Sequence, residues 1–476
     1  MKKLSSGFFM LAVIMVQLIT TVSCDEGGGG KKSPYNSYAP VLNGKLFYAA
    51  EDPDNALYGR ELWTSDGTPD GTAMVRNINT TNNAGSYPGY FIVCSGRVFF
   101  SADDGENGNE LWVSDGTKGG TMLVKDINPD GASIPYNFKI FNSKLYFAAN
   151  DGTNGAELWV SDGTEAGTFM VRDIYEGKDE TSNPDHFTVY RKKLYFSAND
   201  GTTNGEELWV SDGTEIGTVI FCNINTVDNG GSSPAGFTEL GGSLYFAATD
   251  SSGDRELWVT DGIAGDGHTY MVKAFNSTGS GNPDNLRVFD SRLCLTADDG
   301  NGNELWVFDP DKQAAVNLDI NTADDGDSEP SGFMEFNNRL YFVATDSDGD
   351  RELWSTDGTA SGTERVANIN DTGSSSPDFL TVYDGKLYFT ADDGYTGMEL
   401  WSTDGNTAAI VEDIYSGSDS SNPNAGYYTC QVYNFTFITC NDLMFFAATT
   451  GGDDNLYVSD GTADGTGPVT DGPCFF

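Results

Sequence analysis

Basic residues are scarce in this sequence. Its 476 residues include 26 Lys and Arg against 71 Asp and Glu, so the formal net charge is −45. Because the neutralisation of phosphates requires clustered Lys and Arg, this composition argues against nucleic acid as a partner, and against an anionic membrane surface for the same reason. A charge of this size also strains the compact state by self-repulsion, which salt or bound cations would relieve.

Histidine is nearly missing as well, with only His186 and His268. The two lie at unrelated positions, and no nucleophile, base and orienting group can be recognised around them. A carboxylate pair for glycoside hydrolysis could exist among 71 acids, but no unique acidic group interrupts the sequence pattern described below. The sequence therefore predicts a protein that is not an enzyme and that has no certain cofactor.

Long apolar runs are confined to the N-terminus. Lys2 and Lys3 precede an apolar segment at residues 8–19, and small residues follow it, so residues 1–23 are predicted to be a signal peptide. The run is too short for a comfortable membrane span. Cys24 is a candidate for lipidation, with ordinary cleavage as the alternative, and residues 24–36 form a Gly-rich flexible tether. We expect a secreted or cell-surface protein whose only membrane attachment would be a lipid anchor.

Six cysteines follow Cys24. Cys430, Cys440 and Cys474 cluster near the C-terminus and are disulfide candidates in an exported protein. Three cysteines leave the pairing open.

One motif organises everything after the tether. Glu-Leu-Trp recurs eight times, each time with a spacing near 48 residues, and all eight tryptophans of the chain belong to it. A degenerate ninth copy begins at Asn455. A fixed period of this length is the signature of an array of supersecondary units. The eight copies begin at Glu61, Glu110, Glu157, Glu207, Glu256, Glu304, Glu352 and Glu399.

Each repeat predicts four short strands. Alternating aromatic and β-branched residues bounded by Gly, Asp and Asn are typical of strands and hairpins, and a convincing helical periodicity is missing outside the signal segment. One proline marks every connection between repeats, where no backbone N–H is needed. The pattern predicts an all-β fold, a β-propeller of four-stranded blades at residues 37–476. Nine blades are favoured, and eight blades with a divergent ninth unit are the alternative.

The repeated Glu-Leu-Trp-x-x-Asp-Gly-Thr string resembles the ELWxxDGT repeat family of secreted proteins. The resemblance covers about residues 37–470, with departures at Phe308-Asp309-Pro310 and in the ninth repeat. It implies a propeller-like fold and an exported location. It implies no catalytic activity or ligand.

Paired carboxylates flank the second hairpin in eight of the nine repeats, and both are absent from the ninth. An Asp closes the second strand, a Glu opens the third, and carbonyl-rich residues lie between them, which are the ingredients of a calcium site. The alternative is that the Asp caps its own turn and the Glu bonds a neighbouring strand. The calcium candidates are Asp104, Glu110, Asp151, Glu157, Asp200, Glu207, Asp250, Glu256, Asp299, Glu304, Asp346, Glu352, Asp393 and Glu399.

Four sequons would place glycans at exposed positions if the host glycosylates: Asn79, Asn276, Asn370 and Asn434. With loops presented by a rigid scaffold, the sequence predicts a non-enzymatic binding or adhesion module with a protein or glycan ligand. A glycan-active hydrolase and a self-associating structural matrix subunit are the alternatives. The divergent loops at residues 176–185 and 426–440 are the expected ligand sites.

Overall fold

The protein is a nine-bladed β-propeller. The computed structural model describes residues 39–469, apart from 53–57, 82–83, 228–229, 266, 324–325, 424–436 and 451–452. Each blade is one antiparallel sheet of four strands that follow each other in the sequence. The predicted all-β propeller is therefore confirmed, and the blade count is nine.

Blades 1 to 3 contain β1 (Val41–Leu42), β2 (Lys45–Glu51), β3 (Arg60–Ser65), β4 (Ala73–Arg76), β5 (Gly89–Cys94), β6 (Arg97–Asp103), β7 (Asn109–Ser114), β8 (Met122–Lys125), β9 (Tyr136–Phe141), β10 (Lys144–Asn150), β11 (Ala156–Ser161) and β12 (Phe169–Arg172). Blades 4 to 6 contain β13 (Asp185–Tyr190), β14 (Lys193–Asn199), β15 (Glu206–Ser211), β16 (Val219–Cys222), β17 (Ala235–Leu240), β18 (Ser243–Thr249), β19 (Arg255–Thr260), β20 (Thr269–Lys273), β21 (Asp284–Phe289), β22 (Arg292–Asp298), β23 (Asn303–Asp309) and β24 (Ala314–Asn317). Blades 7 to 9 contain β25 (Ser331–Phe336), β26 (Arg339–Thr345), β27 (Arg351–Thr356), β28 (Glu364–Arg365), β29 (Asp378–Tyr383), β30 (Lys386–Asp392), β31 (Met398–Thr403), β32 (Ala408–Glu412), β33 (Ile438–Cys440), β34 (Leu443–Thr450), β35 (Asp453–Ser459) and β36 (Gly467–Pro468), with one short 3₁₀ helix at Ala360–Gly362.

The hydrophobic core lies between the blades. In the junction of blades 2 and 3, Phe99 and Leu111 pack with Leu145, Phe147 and Trp159, and equivalent clusters recur around the ring. The second and third strands are buried on both faces because each blade has a neighbour on either side. This packing explains why the Glu-Leu-Trp motif lacks the alternation of apolar and polar residues expected of a strand with one wet face.

The first strands of successive blades lie side by side around the ring axis, with contacts along the series β5, β9, β13, β17, β21, β25 and β29. We call the face of the ring where these strands begin the upper face. The loop between the second and third strands lies on the same face, since Gly108 meets Ala132 in the connection to the next blade. Each of these connections is called a junction loop below.

The ring closes by packing of blade 1 against blade 9. Leu46 and Trp63 of blade 1 share one cluster with Phe445 and Leu456 of blade 9. The amide of Asn441 donates to the carbonyl of Gly44 at 2.7 Å. Among the described residues, both terminal sheets are built from consecutive strands, and none of these strands is exchanged between the two sheets.

Candidate functional site at the upper mouth

The glutamate of each Glu-Leu-Trp motif holds a junction loop in place. In blade 3, Oε2 of Glu157 accepts the N–H of Ile174 at 2.8 Å and the hydroxyl of Ser182 at 2.7 Å. Its Oε1 accepts the N–H of Ser182 at 3.0 Å. Because Ser182 leads into blade 4, this carboxylate ties the third strand of one blade to the entry of the next. We call this contact the glutamate cap.

The glutamate caps are deeply buried carboxyl groups. Burial raises the pKa of Glu61, Glu157 and Glu207 to about 7, and the hydrogen bonds from serine and backbone donors lower it only in part. Burial also raises the pKa of the remaining capping glutamates, Glu110, Glu256, Glu304, Glu352 and Glu399. Glu256 differs in its partners, because Gly281 replaces the serine and donates through its N–H at 2.9 Å.

The residue before each junction proline has a left-handed backbone. Its φ lies between 43° and 48° in all eight junction loops, although none of these residues is glycine. The N–H of each donates to the carbonyl that precedes the capping glutamate, as the N–H of Ile134 does to Asn109 at 3.0 Å. The eight, called the pre-proline residues below, are Tyr87, Ile134, Asn183, Ser233, Asn282, Glu329, Ser376 and Asn422.

This conformation stores strain, most of all at Ile134. A β-branched residue with a left-handed backbone is a steric outlier that costs about 1–3 kcal/mol and persists only where the surrounding structure imposes it. We expect Ile134→Gly to raise the free energy of unfolding by about 1 kcal/mol, measured by urea denaturation. Asn183→Gly is the matched control and should gain less, since Asn tolerates this region. A loss of stability in Ile134→Gly would contradict the assignment of strain.

The pre-proline residues lie at the upper face, because in seven of the eight junction loops the first strand of the next blade begins two residues later. Their backbone is uniform, whereas their side chains differ in size, polarity and charge. Tyr87 and Ile134, in adjacent junction loops, are 57% and 52% exposed. Glu329, in the junction loop between blades 6 and 7, has an exposed carboxylate. The mouth therefore has an apolar sector and an acidic sector.

Arginine precedes the capping glutamate in three blades, at Arg60, Arg255 and Arg351, and the last two lie close to the acidic residues described below. Nη1 of Arg351 donates to the carbonyl of Glu329 at 3.0 Å, and its Nη2 donates to Oγ of Ser331 at 2.7 Å. Arg255 occupies the equivalent position in blade 5 and donates to the carbonyl of Ser233 at 2.7 Å. The guanidinium groups thus fix the junction loops.

Acidic side chains begin the first strands of blades 4, 6 and 8, at Asp185, Asp284 and Asp378. Asp378 remains open to solvent, yet burial by the surrounding protein raises its pKa, against the opposing effects of the Phe379 N–H and Arg351. Burial lowers the pKa of Arg255, while Asp284 and Glu206 oppose that shift.

The Asp and Glu side chains that were predicted to bind one cation together make separate hydrogen bonds in the structure. Asp104 caps its own loop, with Oδ1 accepting the N–H of Glu106 at 3.0 Å and of Asn107 at 2.8 Å, whereas Glu110 turns to the junction loop. The same local caps occur at Asp151, Asp200, Asp250, Asp299, Asp346 and Asp393. Among the described residues, no group of three or more His, Cys, Asp and Glu could hold a metal ion. These contacts match the alternative of turn and junction caps, and calcium binding stays a prediction without a ligand set.

The remaining candidates are dispersed. Asn79 and Asn370 are 5% and 8% exposed, and their amides donate to Gly85 and Ser374 within junction loops, so the exposure expected of these two sequons is wrong. Asn276 is half-buried. Cys440 is a buried thiol in the junction of blades 1 and 9. Cys24, Cys430, Cys474, Asn434, the signal peptide, the tether and most of the loop at 426–440 lie outside the described residues.

The two histidines lie in unrelated structural positions. His186 is on the first strand of blade 4. Nδ1 of His268 lies 2.7 Å from Oδ2 of Asp261, which ties together the turn between the last two strands of blade 5. In the part of the chain that is described, no helix has the length and apolarity of a membrane span. Export remains a prediction.

The comparisons with known proteins give a fold-level likeness. No protein-family model matches the chain, and no curated protein is similar to it in sequence. A puromycin hydrolase structure is 12% identical with a TM-score of 0.41, over 88% of this chain and 60% of the hydrolase. A prolyl endopeptidase structure is 13% identical with a TM-score of 0.41, over 70% and 49% of the two chains. The propeller domain of the trilobed protease from Pyrococcus furiosus is 11% identical with a TM-score of 0.33, over 71% of this chain and all of that domain.

These neighbours correct the expected function. The prediction of a non-enzymatic binding or adhesion module is wrong by this comparison, since the proteins of similar architecture are hydrolases. This chain spans only 60% of the puromycin hydrolase and 49% of the prolyl endopeptidase. Identities near 12% and TM-scores near 0.4 carry no argument about the activity of this chain.

Proposed function

We propose that the upper mouth of the ring receives an extended polypeptide segment that carries basic and apolar side chains. The observation that carries this proposal is the set of pre-proline residues, which share one strained backbone and differ in side chain. Strain that is imposed by surrounding hydrogen bonds concentrates at functional sites. A rigid ring with varied exposed side chains around a channel is suited to recognition, because little ordering entropy is lost on binding.

The chemistry of the mouth supports the class of ligand. Tyr87 and Ile134 offer exposed apolar surface. Glu329, Asp284 and Asp378 supply three negative charges, and the guanidinium groups of Arg255 and Arg351, which donate to backbone carbonyls of the same junction loops, offset only two of them. The overall charge of −45 would further steer a basic segment toward the ring.

The test is fluorescence anisotropy with a labelled decapeptide of alternating lysine and leucine. Because the whole surface is acidic, the decisive comparison is between two charge-matched triple variants. The mouth variant is Asp284→Asn, Glu329→Gln and Asp378→Asn. The control variant is Glu165→Gln, Glu215→Gln and Asp464→Asn, whose side chains are exposed on turns between the last two strands of their blades.

We expect the mouth variant to bind the decapeptide at least about tenfold more weakly, which is a difference of about 1.4 kcal/mol. The control variant should lose less than about twofold, because an exposed charge on a distant turn is screened. Tyr87→Ala with Ile134→Ala should weaken binding of the lysine–leucine peptide and leave an all-lysine peptide unaffected. Equal losses in the two triple variants would show general attraction to an acidic surface and would contradict the proposal.

A further inference from the structure

The turn between the first two strands, called the first turn below, has the same backbone in all nine blades. Both of its residues have φ between 41° and 79°, as a two-residue type I′ hairpin requires. In eight blades these positions hold only glycine, asparagine, aspartate and serine, which are common turn residues. Blade 4 instead has Arg191 and Lys192, with φ of 46° and 59°. Local turn chemistry therefore does not account for the residues of this one turn.

The first turn of blade 4 is strained. A left-handed backbone brings Cβ close to the following carbonyl oxygen, so Arg191 and Lys192 destabilise the turn relative to asparagine or glycine. Strain of this kind concentrates at functional sites. Both residues are exposed and basic, and the equally exposed Lys193 follows them. The property that this turn provides is therefore positive charge.

Basic side chains continue from this turn into blades 2 and 3. Phe141 and Leu194, which flank the first turns of blades 3 and 4, share one apolar cluster. Oγ of Ser95 donates to the carbonyl of Ser143 at 3.4 Å, so the first turns of blades 2 and 3 also touch. No acidic residue occurs in these three turns or at the position after each of them. Their cations, called the basic arc below, are Arg97, Lys144, Arg191, Lys192 and Lys193.

The basic arc lies on the lower face, opposite the mouth. First strands begin at the upper face, so their first turns are at the other face, in the innermost layer of the ring. Nη2 of Arg97 donates to the carbonyl of Asp162 at 3.0 Å, and Nη2 of Arg191 donates to that of Gly242 at 2.9 Å. Among the described residues, no hydrogen bond or ion pair engages the ammonium groups of the three lysines. The arginines thus fix the turns, and the lysines remain available.

Acidic groups around the arc limit the width of a ligand. Asp162 and Asp212 lie farther from the axis, on turns between third and fourth strands, and their pKa is lowered first by a threonine of the same turn and further by cations of the arc. Asp261 and Glu239 border the arc in blade 5. A flat anionic surface would meet these acids together with the arc, whereas a compact anion can contact the arc alone.

We propose that the basic arc binds a compact ligand that carries several linked phosphate groups. Lysine binds phosphate as a point charge, whereas recognition of a planar carboxylate favours the arginine fork. The available cations of the arc are lysines, so a dense cluster of negative charge suits them best. The phosphates could belong to a free oligophosphate or to a lipid headgroup, and the surrounding acids favour the free ligand. This inference is independent of the peptide ligand proposed for the upper mouth.

The test is isothermal titration calorimetry of the mature chain with sodium tripolyphosphate, in metal-free buffer with 50 mM sodium chloride. Two charge-matched triple variants are compared. The arc variant is Lys144→Gln, Lys192→Gln and Lys193→Gln. The control variant is Lys118→Gln, Lys178→Gln and Lys312→Gln, whose side chains are exposed outside the arc.

We expect the arc variant to bind tripolyphosphate at least about tenfold more weakly and the control variant to lose less than about twofold. Equal losses, or no binding by the unaltered chain to either probe, would overturn the proposal. Cosedimentation with phosphatidylcholine vesicles that contain one-fifth phosphatidic acid distinguishes the two sources of phosphate. We expect no binding to these vesicles, and vesicle binding that only the arc variant loses would assign the phosphates to a lipid headgroup.

The strained turn gives a second measurement. Arg191→Asn with Lys192→Gly introduces the pair that type I′ turns favour. We expect this double variant to raise the melting temperature by about 1–2 °C in 1 M sodium chloride and to weaken tripolyphosphate binding at 50 mM. Ser143→Gly, at the equivalent position of blade 3, should raise the melting temperature and leave the affinity unchanged. Unchanged affinity in the double variant would contradict a site at this turn, and a lower melting temperature would contradict the strain.

Discussion

Replacement of Glu157 by alanine is expected to lower the free energy of unfolding by about 3–5 kcal/mol, because each buried donor that loses its acceptor costs about 1–3 kcal/mol. The substitution leaves the N–H groups of Ile174 and Ser182 and the hydroxyl of Ser182 without their acceptor. Water cannot easily replace it, since Glu157 and Ser182 are both almost completely buried. The loss should therefore be among the largest of any single substitution in the ring.

Urea denaturation followed by tryptophan fluorescence and by circular dichroism measures this effect. The tryptophans report the junctions, because Trp159 and Trp209 pack between blades. Glu165→Ala is the control, because Glu165 is exposed on a turn of the same blade and should change stability by less than about 0.5 kcal/mol. A loss below about 1 kcal/mol in Glu157→Ala would mean that the cap is dispensable.

The Glu157→Gln substitution separates the effect of side-chain size from the effect of the carboxylate charge. The amide keeps the size of the side chain, but its Nε2 cannot accept the N–H of Ile174 or the hydroxyl of Ser182. We expect an intermediate loss of about 2–3 kcal/mol, with most of the penalty arising from buried donors that lack an acceptor.

The fold could be predicted because the sequence repeats one unit. The strands of blade 4, expected from aromatic and β-branched runs near Phe187, Leu194, Glu207 and Val219, lie where the structure has β13 to β16, with bounds that differ by one or two residues. The role of the glutamate was harder to predict. Glu157, Leu158 and Trp159 are all buried, so alternation along the strand does not show which way the carboxylate points. Its partner Ser182 is 25 residues away, in a loop whose path only the folded ring defines.

The backbone conformation of the pre-proline residues is the opposite of what the local sequence predicts. Proline disfavours the helical region for the residue before it and pushes that residue toward an extended conformation. Ile134 instead has φ 48°. Its N–H bonds to Asn109 in the preceding blade, and the carbonyl of Ser133 accepts the N–H of Asn150 in the following blade. Contacts with two blades impose a conformation that the local sequence disfavours, so the site at the mouth could not be found from the sequence.

The divergence of the ninth repeat was visible in the sequence, but its meaning was not. Asn455 in place of glutamate could mark a decayed copy or a cap on an eight-bladed ring. The structure shows a complete ninth sheet. The capping glutamate is thus replaced in the blade that packs against blade 1.

Acidification from pH 8 to pH 5 is expected to stabilise the protein by more than about 5 kcal/mol, since each unit of pKa difference contributes about 1.4 kcal/mol. Burial raises the pKa of Glu61, Glu157 and Glu207 from 4.5 to about 7 in the folded state. Between these two values the folded state binds more protons than the unfolded chain. The stabilisation is therefore fully present below the unfolded pKa and is lost as the pH rises through about 7.

In strong acid, the free energy of unfolding changes with pH in the opposite direction. Hydrogen bonds from Thr164 and Thr214 hold the pKa of the turn residues Asp162 and Asp212 below the usual value of 3.8. Their contribution is present above the unfolded pKa and disappears as the pH falls through the lower folded value. The two groups of carboxylates together predict a maximum of stability near pH 5, at the lower end of the range common for proteins.

We would measure unfolding by urea at pH 5, 6, 7 and 8, with 1 M sodium chloride throughout. This design isolates the contribution of the buried glutamates to the pH dependence of stability. Relief of repulsion among 71 acids on acidification has the same sign, but at this salt concentration surface charges are screened beyond about 3 Å. Glu157→Gln should reduce the slope between pH 6 and 8, because it removes one buried titrating group, whereas Glu165→Gln should leave the slope unchanged. A profile in high salt that is flat from pH 5 to 8 would mean that the hydrogen bonds to the glutamate caps offset the cost of burial. The junctions would then hold permanent carboxylates, and their strength would not respond to pH in this range.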